Sequence, residues 1–157
     1  MKIETGYLYH IKYEFFDIVN DENLMTNHER GKKRPTYFTI KDKDKDILWF
    51  IPLSSKVEKY QKIIDKKMEK YGFCNTIFIR RILEEDSVIL FQNAFPTLKK
   101  YIDHIHTSNG APAKVGSLLK DEILNNFKNL LKLKNHGYNV FFTDIDKIKK
   151  QMEDELK

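Results

Sequence analysis

The sequence holds a single cysteine, Cys74, among its 157 residues. A disulfide within the chain needs two cysteines and a thiolate zinc site usually more, so both are excluded; a lone thiol suits a reducing compartment. Long apolar runs are missing as well. The longest, Ile47 to Leu53, contains Pro52 and falls far short of the roughly 20 residues that a membrane-spanning helix requires. No apolar stretch follows Met1-Lys2-Ile3-Glu4, so no secretory signal is expected, and the expected location is cytoplasmic with no membrane association. Glycine is scarce, at 6 residues, and no Walker-type or Rossmann-type phosphate loop is present, which argues against nucleotide-driven catalysis. There is no Gly-x-Ser-x-Gly elbow and no His-Glu-x-x-His stretch. His104 and His106 stand two apart in a segment that reads as helix, where such positions face different sides. No metal and no cofactor are therefore expected.

What the chain does hold is charge and aromatic rings. Charged residues make up 32%, against a usual value of about 25%, and aromatics 13%. Lys and Arg total 28 against 23 Asp and Glu, a net charge of +5. That excess favours a polyanionic partner. With 41% hydrophobic residues, the length suits one ordinary domain over residues 1–157 with one good core.

Tyr7, Tyr9, Ile11, Tyr13 and Phe15 alternate with more polar neighbours, the period of a half-buried strand over Tyr7 to Phe16. Asn20 to Lys33 lacks a period and reads as a long loop. Thr36 to Ile40 and Ile47 to Pro52 read as strands joined by the Lys-Asp repeat of residues 41–46. Ser54 or Ser55 is placed to cap a helix in which Val57, Tyr60, Ile64, Met68 and Tyr71 share a face and Lys59, Lys62, Lys66 and Lys70 form a basic stripe. Gly72 stops it. Asn75 to Leu83 and Ser87 to Gln92 predict two strands about the acidic turn Glu84-Glu85-Asp86. Pro96 predicts a helix start, with Leu98, Tyr101, Ile102 and Ile105 inward and Asn109-Gly110 at its end. Leu118 to Leu133 is the longest predicted helix, closed by Asn135-His136-Gly137. A short strand at Val140 to Phe142 and a charged helix from Thr143, with Thr143 and Asp146 as a capping box, complete the chain. Paired strands with helices between and after them make an α+β pattern, a small curled sheet or barrel with packed helices.

Three clusters could carry chemistry. In Pro52-Leu53-Ser54-Ser55-Lys56 a strand ends, two hydroxyls and an ammonium follow, and a helix begins. The open N–H groups of a helix start favour an anion, so the group suits a phosphate; the spacing equally suits two capping serines and a solvated lysine. Arg30-Gly31-Lys32-Lys33-Arg34-Pro35, leading into Thr36-Tyr37-Phe38, sets cations beside rings, as single-stranded nucleic acid requires, or is a solvated basic loop. The first strand brings Tyr7, Tyr9, His10, Lys12 and Tyr13 together. His10 could move protons near neutral pH, or be a hydrogen-bonded edge histidine.

Four stretches in order, Gly6 to Lys12, Lys33 to Phe38, Ile51 to Lys56 and Phe91 to Pro96, resemble the ToxN/AbiQ endoribonucleases, the toxins of type III toxin–antitoxin systems and agents of phage defence. The CptN branch is the most similar. The resemblance implies a compact, highly curved antiparallel β-sheet or barrel of the MazF/Kid kind with packed helices. It implies metal-independent, sequence-selective cleavage of cellular RNA by 2′-hydroxyl attack, leaving a 2′,3′-cyclic phosphate. It implies inhibition by a repeat-derived RNA pseudoknot, in this branch within an assembly of two proteins and two RNAs. The family's Thr/Ser-Ser pair and lysine map onto Ser54, Ser55 and Lys56, here with no residue between the second serine and the lysine. On this reading Lys56 neutralises the phosphate or protonates the leaving oxygen, Ser55 and Ser54 hydrogen-bond it, and His10 transfers protons. Lys33, Arg34, Tyr37, Lys59, Lys62 and Tyr9 would line the RNA groove. Two other readings fit the same residues: a noncatalytic RNA-binding module, and a helical adaptor that uses the two C-terminal helices.

Overall fold

The computed structural model describes residues 2–26, 28–29, 32–43 and 45–157. The elements run β1 (Leu8–Ile11), α1 (Tyr13–Val19), β2 (His28–Glu29), β3 (Lys32–Lys33), β4 (Thr36–Lys41), β5 (Leu48–Ser54), α2 (Val57–Tyr71), β6 (Ile77–Ile82) and β7 (Glu85–Leu90). They continue with β8 (Phe95–Thr97), β9 (Ile102–Ile105), β10 (Thr107–Ser108), β11 (Ala111–Pro112), α3 (Ser117–Asn135) and α4 (Ile145–Glu155). A 7-stranded sheet follows the order β6-β7-β5-β4-β1-β9, with β8 also paired to β5. Its pairings are antiparallel. The fold is thus mixed α+β. Among the described residues the end strands β6 and β9 do not pair, so the sheet is open and not closed into a barrel.

Helices cover both faces of the sheet. On one, Leu8, Tyr37, Ile51 and Leu53 pack against Ile123, Phe127 and Leu130 of α3. On the other, Tyr9, Ile11, Phe38 and Phe50 pack against Phe15 and Val19 of α1 and Ile148 and Met152 of α4. A third cluster sets Tyr60 of α2 on Ile77, Val88 and Leu90 of the β6–β7 hairpin. Double coverage explains why β1 and β5 are buried at every position: a central strand with two covered faces has no polar side to alternate with. No described helix is long and apolar enough to cross a membrane.

Several sequence expectations are corrected. The period-two strand continues only to Ile11, and Tyr13–Val19 is helical. Phe15 and Val19, four apart, are its buried residues, the spacing of one helical face, whereas Tyr13 is exposed. The helix expected after Pro96 is replaced by β8, a single 3-10 turn and β9. Residues 91–98 are buried without a break, which leaves no solvent face for a surface helix, and β1 offers β9 an unpaired edge. Asn109 and Gly110, both at positive φ, form the two-residue turn between β10 and β11 rather than a helix stop. The turn between β6 and β7 is Leu83-Glu84, again both at positive φ, and Glu85 and Asp86 belong to β7. Val140 to Phe142 forms no strand: Phe142 donates one backbone bond, to the Gln92 carbonyl at 2.7 Å, and no ladder follows. Thr143 does not cap α4; its hydroxyl donates to the Ala94 carbonyl at 2.6 Å, and Asp144 is the capping residue. Of the Lys-Asp repeat between β4 and β5, Asp44 lies outside the described residues.

Candidate functional site

The junction of β5 and α2 is built by backbone bonds. Ser54, opposite Val88 on β7, is buried, and its Oγ accepts the Lys56 N–H at 3.1 Å. The Ser55 carbonyl accepts from Val57 at 2.9 Å and the Lys56 carbonyl from Tyr60 at 3.2 Å, which starts the helix. Neither serine caps it. Lys56 is itself the N-cap residue, and its own side chain makes no cap bond. Ser54 braces the turn from the strand side by taking the Lys56 N–H and the Ser55 carbonyl takes that of Val57, so in the first turn it is the N–H groups of Glu58 and Lys59 that have no helical carbonyl to bond. The Ser55 side chain is exposed beside them, and Lys56 is half-buried. Its ammonium enters no ion pair among the described residues.

Arg34 fastens this junction from behind. It is buried; its Nε donates to the Thr26 carbonyl at 3.0 Å and its Nη1 to the Leu53 carbonyl at 2.8 Å. A planar guanidinium can serve two such acceptors at once, so Arg34 ties the loop before β2 to the end of β5 and does not line an open groove. Lys33 is exposed, with its ammonium 3.9 Å from Asp103. Arg30 lies outside the described residues. Lys59 and Lys62 are exposed on α2, on the helix side that carries the basic stripe.

The expected roles of Tyr9 and Tyr37 are corrected by their burial. Both rings are fully enclosed, on opposite faces of the sheet, and present no surface to RNA. The Tyr9 hydroxyl accepts the Glu4 N–H at 2.9 Å. The Tyr37 hydroxyl is buried with no hydrogen-bond partner, and burial pushes its pKa well up.

His10 is also placed differently. Register sets Tyr9 opposite Thr36 and Thr36 opposite Pro52, so His10 falls level with Leu53 and shares its side of the sheet. By strand alternation Ser54 faces the other side. Among the described residues the hydrogen-bond and ring partners of the His10 side chain are His106 and His104, not Ser54, Ser55 or Lys56. Its Nε2 lies 2.8 Å from Nδ1 of His106, and its ring stacks on His104 with centroids 4.6 Å apart. Two positions apart on a helix, His104 and His106 would have faced different sides; on an extended chain they share one. That trio was hidden from sequence because it rests on the β1–β9 pairing. Among the described residues no three His, Cys, Asp or Glu are arranged to hold a metal ion. Burial first, then the cationic forms of His106 and His104 and the charge of Lys33, lower the His10 pKa to about 4, against a weak opposing pull from Asp103. Burial and His104 lower that of His106 too.

No protein-family model matches the chain, nor does any curated protein. Among solved structures the fold is similar to that of AbiQ, a lactococcal anti-phage endoribonuclease belonging to the type-III toxin–antitoxin system. The TM-score is 0.73 at 12% sequence identity, over 98% of this chain and 99% of that one. At that identity the likeness is one of fold, and it extends end to end.

Proposed function

We propose that residues 1–157 form one endoribonuclease domain, the toxin of a type III toxin–antitoxin system in the ToxN/AbiQ family and nearest its CptN branch. The observation that carries this reading is the end-to-end likeness to AbiQ, together with the exposed Ser55 and half-buried Lys56 adjacent at one strand-to-helix junction. The curvature of the MazF/Kid ribonucleases is part of the proposal.

The reaction is a transesterification. The ribose 2′-hydroxyl loses its proton to water as its oxygen attacks the adjacent phosphorus, the bond from phosphorus to the 5′-oxygen breaks, that oxygen takes a proton from water, and the products are a 2′,3′-cyclic phosphate and a 5′-hydroxyl. Its demand on the protein is to hold negative charge on a five-coordinate phosphorus. Donors fixed in advance contribute most to that task. Lys56 acts as a cation on the nonbridging oxygens. The Ser55 hydroxyl donates to the same phosphate. Ser54, whose Oγ already accepts the Lys56 N–H, holds the turn; Arg34 positions the strand end through the Leu53 carbonyl. Lys33, Lys59 and Lys62 hold flanking phosphates. His10 faces away from the junction, and we assign it to the β1–β9 seam instead. Charge stabilisation by Lys56 and backbone donors needs no metal. The inhibitor is an RNA, a repeat-derived pseudoknot, in an assembly of two proteins and two RNAs.

The test is expression of the chain in bacteria without its RNA partner. Growth stops with the wild-type sequence and continues with Lys56→Ala at equal protein level and unchanged circular dichroism. Undiminished toxicity of that variant removes Lys56 from the centre.

A further inference from the structure

Beside the junction runs a groove of about 330 Å³, bounded by α2, by residues 22–25 and by Phe142. Three features of its lining point to a ligand. Phe142 leaves 54% of its surface exposed, although the residue before it and the residue after it are buried. The Lys67 ammonium lies 6.0 Å from the ring centroid and is itself anchored on Thr76 at 2.9 Å. Gln92 also lines the groove. It is only 5% exposed, yet its Oε1 has no hydrogen-bond partner among the described residues. Buried amides are nearly always satisfied, and an orphaned one asks for an explanation. Finally, Lys59 and Glu22 bring one charge of each sign to the lining. That balance suits a neutral polar ring better than a phosphate.

We infer that this groove is a nucleobase subsite, in which one base of a single-stranded RNA stacks on Phe142 and is read along its edge by the Gln92 amide. A half-turn of the last Gln92 torsion exchanges oxygen for nitrogen, so the side chain can meet a donor or an acceptor. Base edges in unpaired RNA are recognised by such pairings of an aromatic face with an amide. Lys59 lies about one helical turn, roughly 5 Å, beyond Lys56 along α2. The subsite thus begins about one helical turn from the proposed phosphate seat and would hold a base near the cleaved bond. The inference rests on the endoribonuclease reading and deepens it, because it supplies a source for sequence selectivity.

The experiment uses the full chain, Phe142→Ala and Gln92→Leu. Each is mixed with a short randomised RNA carrying 2′-O-methyl groups, which cannot be cleaved; affinity is read by anisotropy and preference by sequencing the bound pool. Truncating the exposed ring leaves folding intact, as urea titration verifies. Stacking contributes about 1–3 kcal/mol per base, so Phe142→Ala should weaken binding by about tenfold. Gln92→Leu should flatten the base preference at one position. Wild-type affinity with an unchanged preference in both variants overturns the subsite and leaves the endoribonuclease reading standing. No binding of RNA by the wild-type chain overturns both.

Discussion

Acid should weaken this protein through His10, and the size of the effect follows from the trio it belongs to. In the folded chain His10 sits with its ring nitrogen 2.8 Å from that of His106, an arrangement that needs one donor and one acceptor. Two protonated rings cannot keep it. The folded pKa is lowered from 6.5 to about 4, so the folded state refuses a proton that the unfolded chain takes up. Stability from this group is therefore complete above about pH 6.5 and is lost as pH falls towards 4. The full shift corresponds to roughly 3 kcal/mol. The trio opens to solvent at His104, whose side chain is 50% exposed, and screening there reduces the expected figure to about 1–2 kcal/mol. The assay is urea unfolding of the wild-type chain and His10→Leu at pH 7.5 and 4.5. Carboxylates titrate in both proteins and cancel in the comparison. The wild-type chain should lose about 1–2 kcal/mol more than the variant between the two pH values. Equal losses would refute the reasoning, and a larger loss in the variant would reverse its sign.

Tyr37→Phe removes a buried hydroxyl that has no partner; it should raise stability by about 1–3 kcal/mol and leave RNA cleavage unchanged, as a denaturant titration and a cleavage assay would read. Arg34→Ala removes two charge-assisted bonds to carbonyls and should cost about 2–3 kcal/mol. Arg34→Lys should recover little of it, because a single ammonium lacks the guanidinium fork; full recovery would show that charge alone matters there.

Sequence reading reached the elements whose signals are local. The strands over Thr36 to Ile40 and Ile47 to Pro52, the helix that Gly72 ends and the long helix after Gly116 all carry their own period and stops. It failed where partners from far along the chain decide the outcome. Leu98, Tyr101 and Ile102 do point inward, but their helical spacing is accidental in a segment where a 3-10 turn leads into the strand that pairs with β1. The same error separated His104 from His106 and concealed their contact with His10. Tyr9 and Tyr37 were legible as strand residues, whereas their enclosure depends on α4 and α3, which come later in the chain. Ser54, Ser55 and Lys56 were legible as a junction because a strand, a polar pair and a helix follow one another directly. That Lys56 and not a serine occupies the cap depends on Ser54 staying in register with Val88.

The central claim is that the β5–α2 junction cuts RNA by using Lys56. Its most direct measurement is incubation of the purified chain with single-stranded RNA in EDTA, followed by analysis of the fragment ends. The account predicts fragments ending in 2′,3′-cyclic phosphate with the wild-type chain and intact RNA with Lys56→Ala. Intact RNA with both proteins, or equal cleavage by both, would contradict it.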